Sequence, residues 1–178
     1  IDANGLVATD DADVTVLTES LGGTLSASQI ACFSTNPEPI TLTGYTGNVL
    51  YWQRSTSNTF ASNVTNISST SDILTGEAAG FVTATTYFRA VISNGNCGEV
   101  YSGTTSAIVQ TSTYNAGVWS NGVPDGLTNA IIQSDYTFAT DFEACSITVT
   151  NNATIIIPSG ITVTLNGGLI VSSGSFTM

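Results

Sequence analysis

Between Cys32 and Cys97 the chain sets out a frame that few folds accept: Cys32, Leu50-Tyr51-Trp52-Gln53, Thr85-Thr86-Tyr87-Phe88-Arg89-Ala90, then Asn94-Gly95-Asn96-Cys97. Short alternating or β-branched runs recur around it, each bounded by Gly, Asn, Ser or Pro, and no long window carries apolar residues at helical spacing. Strands are expected at Ala12–Leu17, Glu38–Thr43, Asn48–Arg54, Val64–Ser68, Asp72–Gly76, Ala84–Ser93 and Ser102–Gln110, with almost no helix. In Asn48–Arg54, Leu50 and Trp52 share a face, which makes Trp52 the core aromatic. In Ala84–Ser93 the face of Phe88, Ala90 and Ile92 is wholly apolar. That density of strands around a central tryptophan is the pattern of an immunoglobulin-like β-sandwich.

Charge narrows the function classes. Thirteen acidic residues stand against Arg54 and Arg89, with no Lys and no His, for a net charge of −11. Such a field repels phosphate and anionic lipid, so nucleic acid and membrane-surface partners are disfavoured. Without His or Lys the commonest general bases, zinc ligands and Schiff-base formers are missing, leaving carboxylate, hydroxyl and thiol chemistry. Solubility rests instead on the 64 Ser, Thr and Asn residues, a composition suited to an outer surface and to strands. No run is apolar for long enough to span a membrane, and Ile1-Asp2-Ala3-Asn4 lacks the basic start of a signal peptide, so any export signal is expected upstream of Ile1.

Three cysteines allow three single pairings. Cys32 with Cys97 is the expected one, because both flank strand-like runs that a sandwich brings together, and the bridge would contribute about 4 kcal/mol in the chain-entropy model. Cys145 is then left to pack in a core, beside Ile147 and Val149 in parity. The rival reading keeps all three as small buried apolar residues in a reducing compartment.

The chain divides into residues 1–20, the end of a preceding β domain, residues 21–112, the sandwich, and residues 113–178. Gly22-Gly23-Thr24-Leu25-Ser26 reads as a linker into the sandwich and Ser112-Thr113 as the exit from it. In the last part Ile147–Gly160 and Ile161–Gly174 align at a spacing of 14, identical at 8 of 14 positions. Such a period suits the start of a β-solenoid, a parallel β-helix, with two short strands per rung and Ile147, Val149, Ile161 and Val163 inward. Thr148, Thr150, Thr162 and Thr164 would then form a two-rung hydroxyl ladder. Rungs are expected to continue past Met178, since a third only begins before it. The aromatic stretch with Trp119, Tyr136 and Phe138 is placed to cap the open end of the coil.

Residues 21–111, with Gly23–Cys32, Ile40–Gln53, Thr85–Val91 and Asn94-Gly95-Asn96-Cys97, resemble Ig-like repeats of very large surface proteins of Bacteroidota, gliding-motility adhesins among them. Val118–Asp125 and Ala130–Tyr136 are similar to a segment that precedes β-helical stretches in such proteins. The resemblance implies export by the type IX secretion machinery and display at the cell surface or release outside the cell. It carries over no catalytic residue. The expected function is therefore a non-enzymatic spacer and adhesion segment, with surface glycans or solid surfaces as its contacts. The alternative is a carbohydrate-binding or carbohydrate-cleaving module.

Four groups of side chains bear on that choice. Trp119 and Tyr136 are candidate carbohydrate contacts, weighed against a capping role. Asp141 and Glu143 share one face of an extended stretch and are candidates for acid–base work on a glycosidic bond, weighed against an exposed edge that discourages aggregation. Asp10, Asp11 and Asp13 are a candidate calcium site, weighed against a solvated acidic loop; no other cofactor is expected. Cys145 has nothing nearby to activate a thiolate.

Overall fold

The computed structural model describes Val16 and residues 18–178. Asp10, Asp11 and Asp13, and the strand expected at residues 12–17 apart from Val16, lie outside the described residues. The chain is nearly all β, an Ig-like sandwich followed by a solenoid of about 3 turns.

The sandwich strands are β1 (Thr24–Leu25), β2 (Gln29–Ile30), β3 (Ile40–Thr43), β4 (Asn48–Ser55), β5 (Thr65–Ile67), β6 (Ile73–Leu74), β7 (Thr86–Ser93), β8 (Glu99–Tyr101) and β9 (Thr105–Ile108). A single helical turn, α1 (Gly76–Ala79), follows β6 and is capped by Thr75, whose hydroxyl accepts from the Ala78 amide. One sheet runs β1-β3-β6. The other runs β2-β9-β7-β4-β5, with β8 also paired to β7. The first strand is thus split: β1 pairs antiparallel with β3, and β2 crosses to the opposite sheet to pair parallel with β9.

Between the sheets lies a core of Ile40, Leu42, Val49, Trp52, Leu74, Val82, Phe88, Ala90 and Ile92. Trp52 is fully buried, and its indole N–H donates to the Ser71 carbonyl at 2.9 Å, so the ring is sealed without losing a hydrogen bond. Phe88, Ala90 and Ile92 are likewise fully buried, as alternation requires. Leu50 departs from the alternation. A β-bulge between Val49 and Tyr51 inserts it as the extra residue, turning Val49 inward and leaving Leu50 38 % exposed.

The segment expected to be a linker is built into the sandwich. Gly22 is buried where a Cβ would lie 2.0 Å from the Tyr101 carbonyl oxygen, and Thr24–Leu25 is a strand. Ser112 and Thr113 are no exit linker either. They sit inside β10 (Gln110–Asn115), the first strand of the coil, so the change from sandwich to coil falls at Val109.

The coil continues with β11 (Val118–Trp119), β12 (Thr128–Ile132), β13 (Tyr136–Thr137), β14 (Phe142–Ala144), β15 (Ile147–Val149), β16 (Ala153–Ile156), β17 (Val163–Leu165), β18 (Leu169–Val171) and β19 (Gly174–Thr177). Three parallel stacks form its sides: β10-β12-β15-β18, β13-β16-β19 and β14-β17. Ala130 stacks on Ile147, 17 residues on, Ile147 on Leu169, 22 on, and Phe142 on Val163, 21 on. The rung is therefore three-sided, and the 14-residue similarity is two sides of one turn. It carries Ile147-Thr148-Val149 of the first side onto the third side. The hydroxyl ladder dissolves with it: Thr148 stands beside Ile131 and Ile170, and Thr164 beside Glu143.

Inward positions follow period two on every side. Ala130, Ile132, Ala144, Ile147, Val149, Ala153 and Ile155 are buried, and Ile161, Val163 and Leu165 pack against them partly exposed. The small residues at Ala130, Ala144 and Ala153 leave room for Phe138 and Phe142 within the same core.

Candidate functional site: the junction of sandwich and coil

The strongest constellation lies where the two cores meet. Cys32, just beyond β2, is bonded to Cys145, in the corner between β14 and β15, with Cα atoms 5.3 Å apart. The bridge thus joins sandwich to coil, and Cys97 is an exposed free thiol. This corrects the Cys32–Cys97 pairing. The geometry explains why. Cys32 lies at the end of the sandwich that carries Ile108, whose carbonyl accepts from the Ala31 amide, whereas Cys97 lies in the turn after β7. Thr86 pairs near the first end and Ser93 closes the second, so the length of β7, about 20–25 Å at ~3.3 Å per residue, separates the two. A disulfide needs Cα atoms within about 7 Å.

Asn129 completes the junction. Its neighbours Ala130 and Ile132 point into the coil, so its own side chain points out toward the sandwich, where it is 4 % exposed. Its Oδ1 accepts from the Phe33 amide at 2.9 Å and from the Ser146 hydroxyl at 2.8 Å, and its Nδ2 donates to the Gln110 carbonyl at 2.7 Å. One amide therefore ties the segment after Cys32 to the first strand of the coil and to the residue after Cys145. Nearby, the Asn166 amide donates to the Gly126 carbonyl at 2.7 Å, and a polar-rimmed cleft of about 300 Å³ opens beside the bridge between Cys32, Pro37, Leu127 and Asn166. Asn129→Leu is expected to cost about 2–3 kcal/mol, because the Phe33 amide and Ser146 hydroxyl lose their acceptor inside the interface. Urea unfolding of the variant measures this directly.

Trp119 and Tyr136 are brought together, inside an aromatic cluster over the first turn of the coil. The Trp119 ring lies 5.3 Å from Tyr114 on the first side, 5.5 Å from Tyr136 on the second and 6.1 Å from Phe142 on the third. Strand β11 folds back antiparallel on β10 to carry it there. Edge-to-face contacts of Phe138 with Tyr136 and with Phe142, both at 4.9 Å, continue the cluster into the core. At the opposite end the core opens in an apolar cleft of about 370 Å³ edged by Ile161, Val163, Leu165, Leu169 and Phe176.

Asp141 and Glu143 are both exposed, and Asp141 is engaged in holding the coil. Its Oδ1 accepts from the Thr162 amide at 2.8 Å in the next turn, and Asp135 does the same for the Thr154 amide at 2.8 Å. Asp135, inside the Ala130–Tyr136 segment, has no sequence feature that marks it for this role. Asp125 shapes the approach to β12: hydrogen bonds from the Thr128 hydroxyl and the Leu127 amide hold its carboxyl below the ordinary value. A depressed carboxyl favours the fold above its unfolded value, and that contribution is lost as the pH falls through the folded one. Burial lowers Arg54, whose guanidinium donates to the Ala79 and Phe81 carbonyls, and raises Tyr51, which also faces Glu99. Among the described residues no three Asp, Glu or Cys side chains converge as a metal site, and no helix is long and apolar enough to cross a membrane.

No curated protein and no solved structure matches the chain. Residues 21–118 match a family model described as "Domain of unknown function (DUF8696)", a span that runs from the sandwich through β10. With more than half its length inside that match, the chain belongs to the DUF8696 family.

Proposed function

We propose that the chain is a non-enzymatic structural and adhesive segment of a large secreted bacterial surface protein, exported through the type IX machinery and displayed outside the cell. The observation that carries this reading is the junction: one covalent bond and the Asn129 hydrogen bonds join a sandwich to a coil, as a spacer under tension requires. A disulfide persists in an oxidising, extracellular setting. Tension applied along such a segment is shared by the backbone at Val109 and the Cys32–Cys145 bridge rather than by a flexible tether. Surface glycans or solid surfaces are its contacts, and a net charge of −11 disfavours nucleic acid.

Cells that make the parent protein without residues 21–178 are expected to lose attachment to surfaces, while the purified chain releases no reducing ends from a panel of polysaccharides. Hydrolysis that disappears in Asp141→Asn would overturn the reading and favour the carbohydrate-cleaving alternative.

A further inference from the structure

The outer face of the larger sandwich sheet holds a feature that neither core needs. Arg89 on β7 stands beside Gln53 on β4, and its Nε donates to Gln53 Oε1 at 2.8 Å. Gln53 is itself fixed by donating to Asn66 at 3.0 Å and is 8 % exposed. The guanidinium carbon lies 3.7 Å from the centre of the Tyr101 ring, carried by β8, and 4.2 Å from that of Phe60, carried by the loop after β4. Strands β8 and β4 flank β7 on opposite sides, so aromatic rings and an amide set the plane of this cation. Its two terminal nitrogens make no hydrogen bond to the described residues, and the residue is half-buried.

Phe60 reaches its position with φ at 55°, a left-handed conformation that a bulky side chain avoids, at a cost of about 1–3 kcal/mol. The loop is held there by the Ser55 hydroxyl, which donates to the Ser62 carbonyl at 2.7 Å. Both terminal nitrogens of Arg54 already donate to backbone carbonyls, of Ala79 and Phe81. Among the described residues Arg89 is thus the arginine whose two terminal nitrogens have no hydrogen-bond partner, on a guanidinium already fixed in plane. Tyr101 beside it is 52 % exposed, and Tyr51 stands across Val91 from Tyr101 in register.

We propose that this face binds a uronic-acid residue of a glycan, its carboxylate taking the two terminal guanidinium nitrogens side by side and its pyranose ring lying against Tyr101. A planar fork with its plane fixed recognises a carboxylate in two parallel hydrogen bonds, which an ammonium group does not reproduce. The surroundings are hydroxyl, amide and aromatic, the set that meets a sugar's alternating polar and apolar faces, with one carboxylate on the same face, Glu99, engaged by the Tyr51 hydroxyl at 3.4 Å. The overall negative charge selects against polyanions, so the match is an isolated uronate among neutral sugars. This inference rests on the adhesive reading and names its ligand class.

The test is a titration of the ¹⁵N-labelled chain with D-galacturonate, its methyl ester and acetate, read at the Arg89 Nε and Tyr101 signals. Galacturonate is expected to bind saturably in the millimolar range, with the ester and acetate each at least about tenfold weaker. Arg89→Lys and Tyr101→Ala are each expected to weaken binding about tenfold, and Tyr101→Phe to retain it. If Arg89→Lys fails to fold, the ester comparison and the two Tyr101 variants decide. No saturable shift, an ester or acetate bound as tightly, an Asp-rich peptide bound more tightly than galacturonate, or binding indifferent to the Tyr101 variants overturns the proposal. Attachment lost on deleting residues 21–178 while galacturonate fails to bind would sink this site alone and leave the spacer reading standing.

Discussion

Cys145→Ser is expected to destabilise the chain by about 4–5 kcal/mol, the chain-entropy value for a closed loop on the order of 100 residues. Cys32 and Cys145 are 113 residues apart, so the bridge restricts most of the unfolded sandwich and the first part of the coil at once. Because Cys145 is fully buried, the variant also leaves a serine hydroxyl in an interface that offered a sulfur. Cys97→Ser is the internal control. That thiol is exposed in the turn after β7, and its loss is expected to change stability by no more than about 0.5 kcal/mol. Urea unfolding of both variants, beside the wild type with and without reductant, checks the pair. Reduced wild type should match Cys145→Ser, and a large loss in Cys97→Ser would place the bridge elsewhere.

Phe138→Ala is expected to cost about 3–5 kcal/mol, concentrated in the coil. Phe138 is 1 % exposed and joins the cap to the coil core through its contacts with Tyr136 and Phe142. The cavity it leaves lies under the first turn, where neighbours are held by the strand stacks on three sides and cannot close over it. The two tryptophans report separately, since Trp52 belongs to the sandwich core and Trp119 to the cap. Near-UV circular dichroism and fluorescence of a Trp52-only and a Trp119-only chain should show the Trp119 signal melting first in the variant. Simultaneous loss of both signals at an unchanged midpoint would contradict the division into two cores.

The sandwich was legible because its signals are local. Alternation in Ile40–Thr43 and Thr86–Ser93 places the core face residue by residue, and a tryptophan amid β-branched neighbours marks the central strand. The bulge at Leu50 was not legible, because one inserted residue leaves composition unchanged while reversing the parity of what precedes it. The coil was legible as a coil but not in its period. Three sides of about seven residues make any two sides look alike, so Ile147–Gly160 and Ile161–Gly174 align well although neither is a full turn. The junction left the least trace. Asn129 is an ordinary polar residue in a strand until its outward face meets the sandwich, and three cysteines do not state which two meet. A Cys32–Cys97 pair fits the order of residues along the chain but not the distance that β7 imposes between them. The Arg89 face was equally hidden, because Phe60 reaches it through a loop conformation that a phenylalanine seldom adopts.

Central to this account is the covalent joining of sandwich and coil at Cys32 and Cys145. Digestion of the native, alkylated chain without reductant, followed by mass spectrometry of the peptides, tests it most directly. A cross-linked pair containing Cys32 and Cys145, with Cys97 carrying the alkyl group, is the predicted result. A Cys32–Cys97 pair with an alkylated Cys145 would contradict it and return the sandwich and the coil to separate modules.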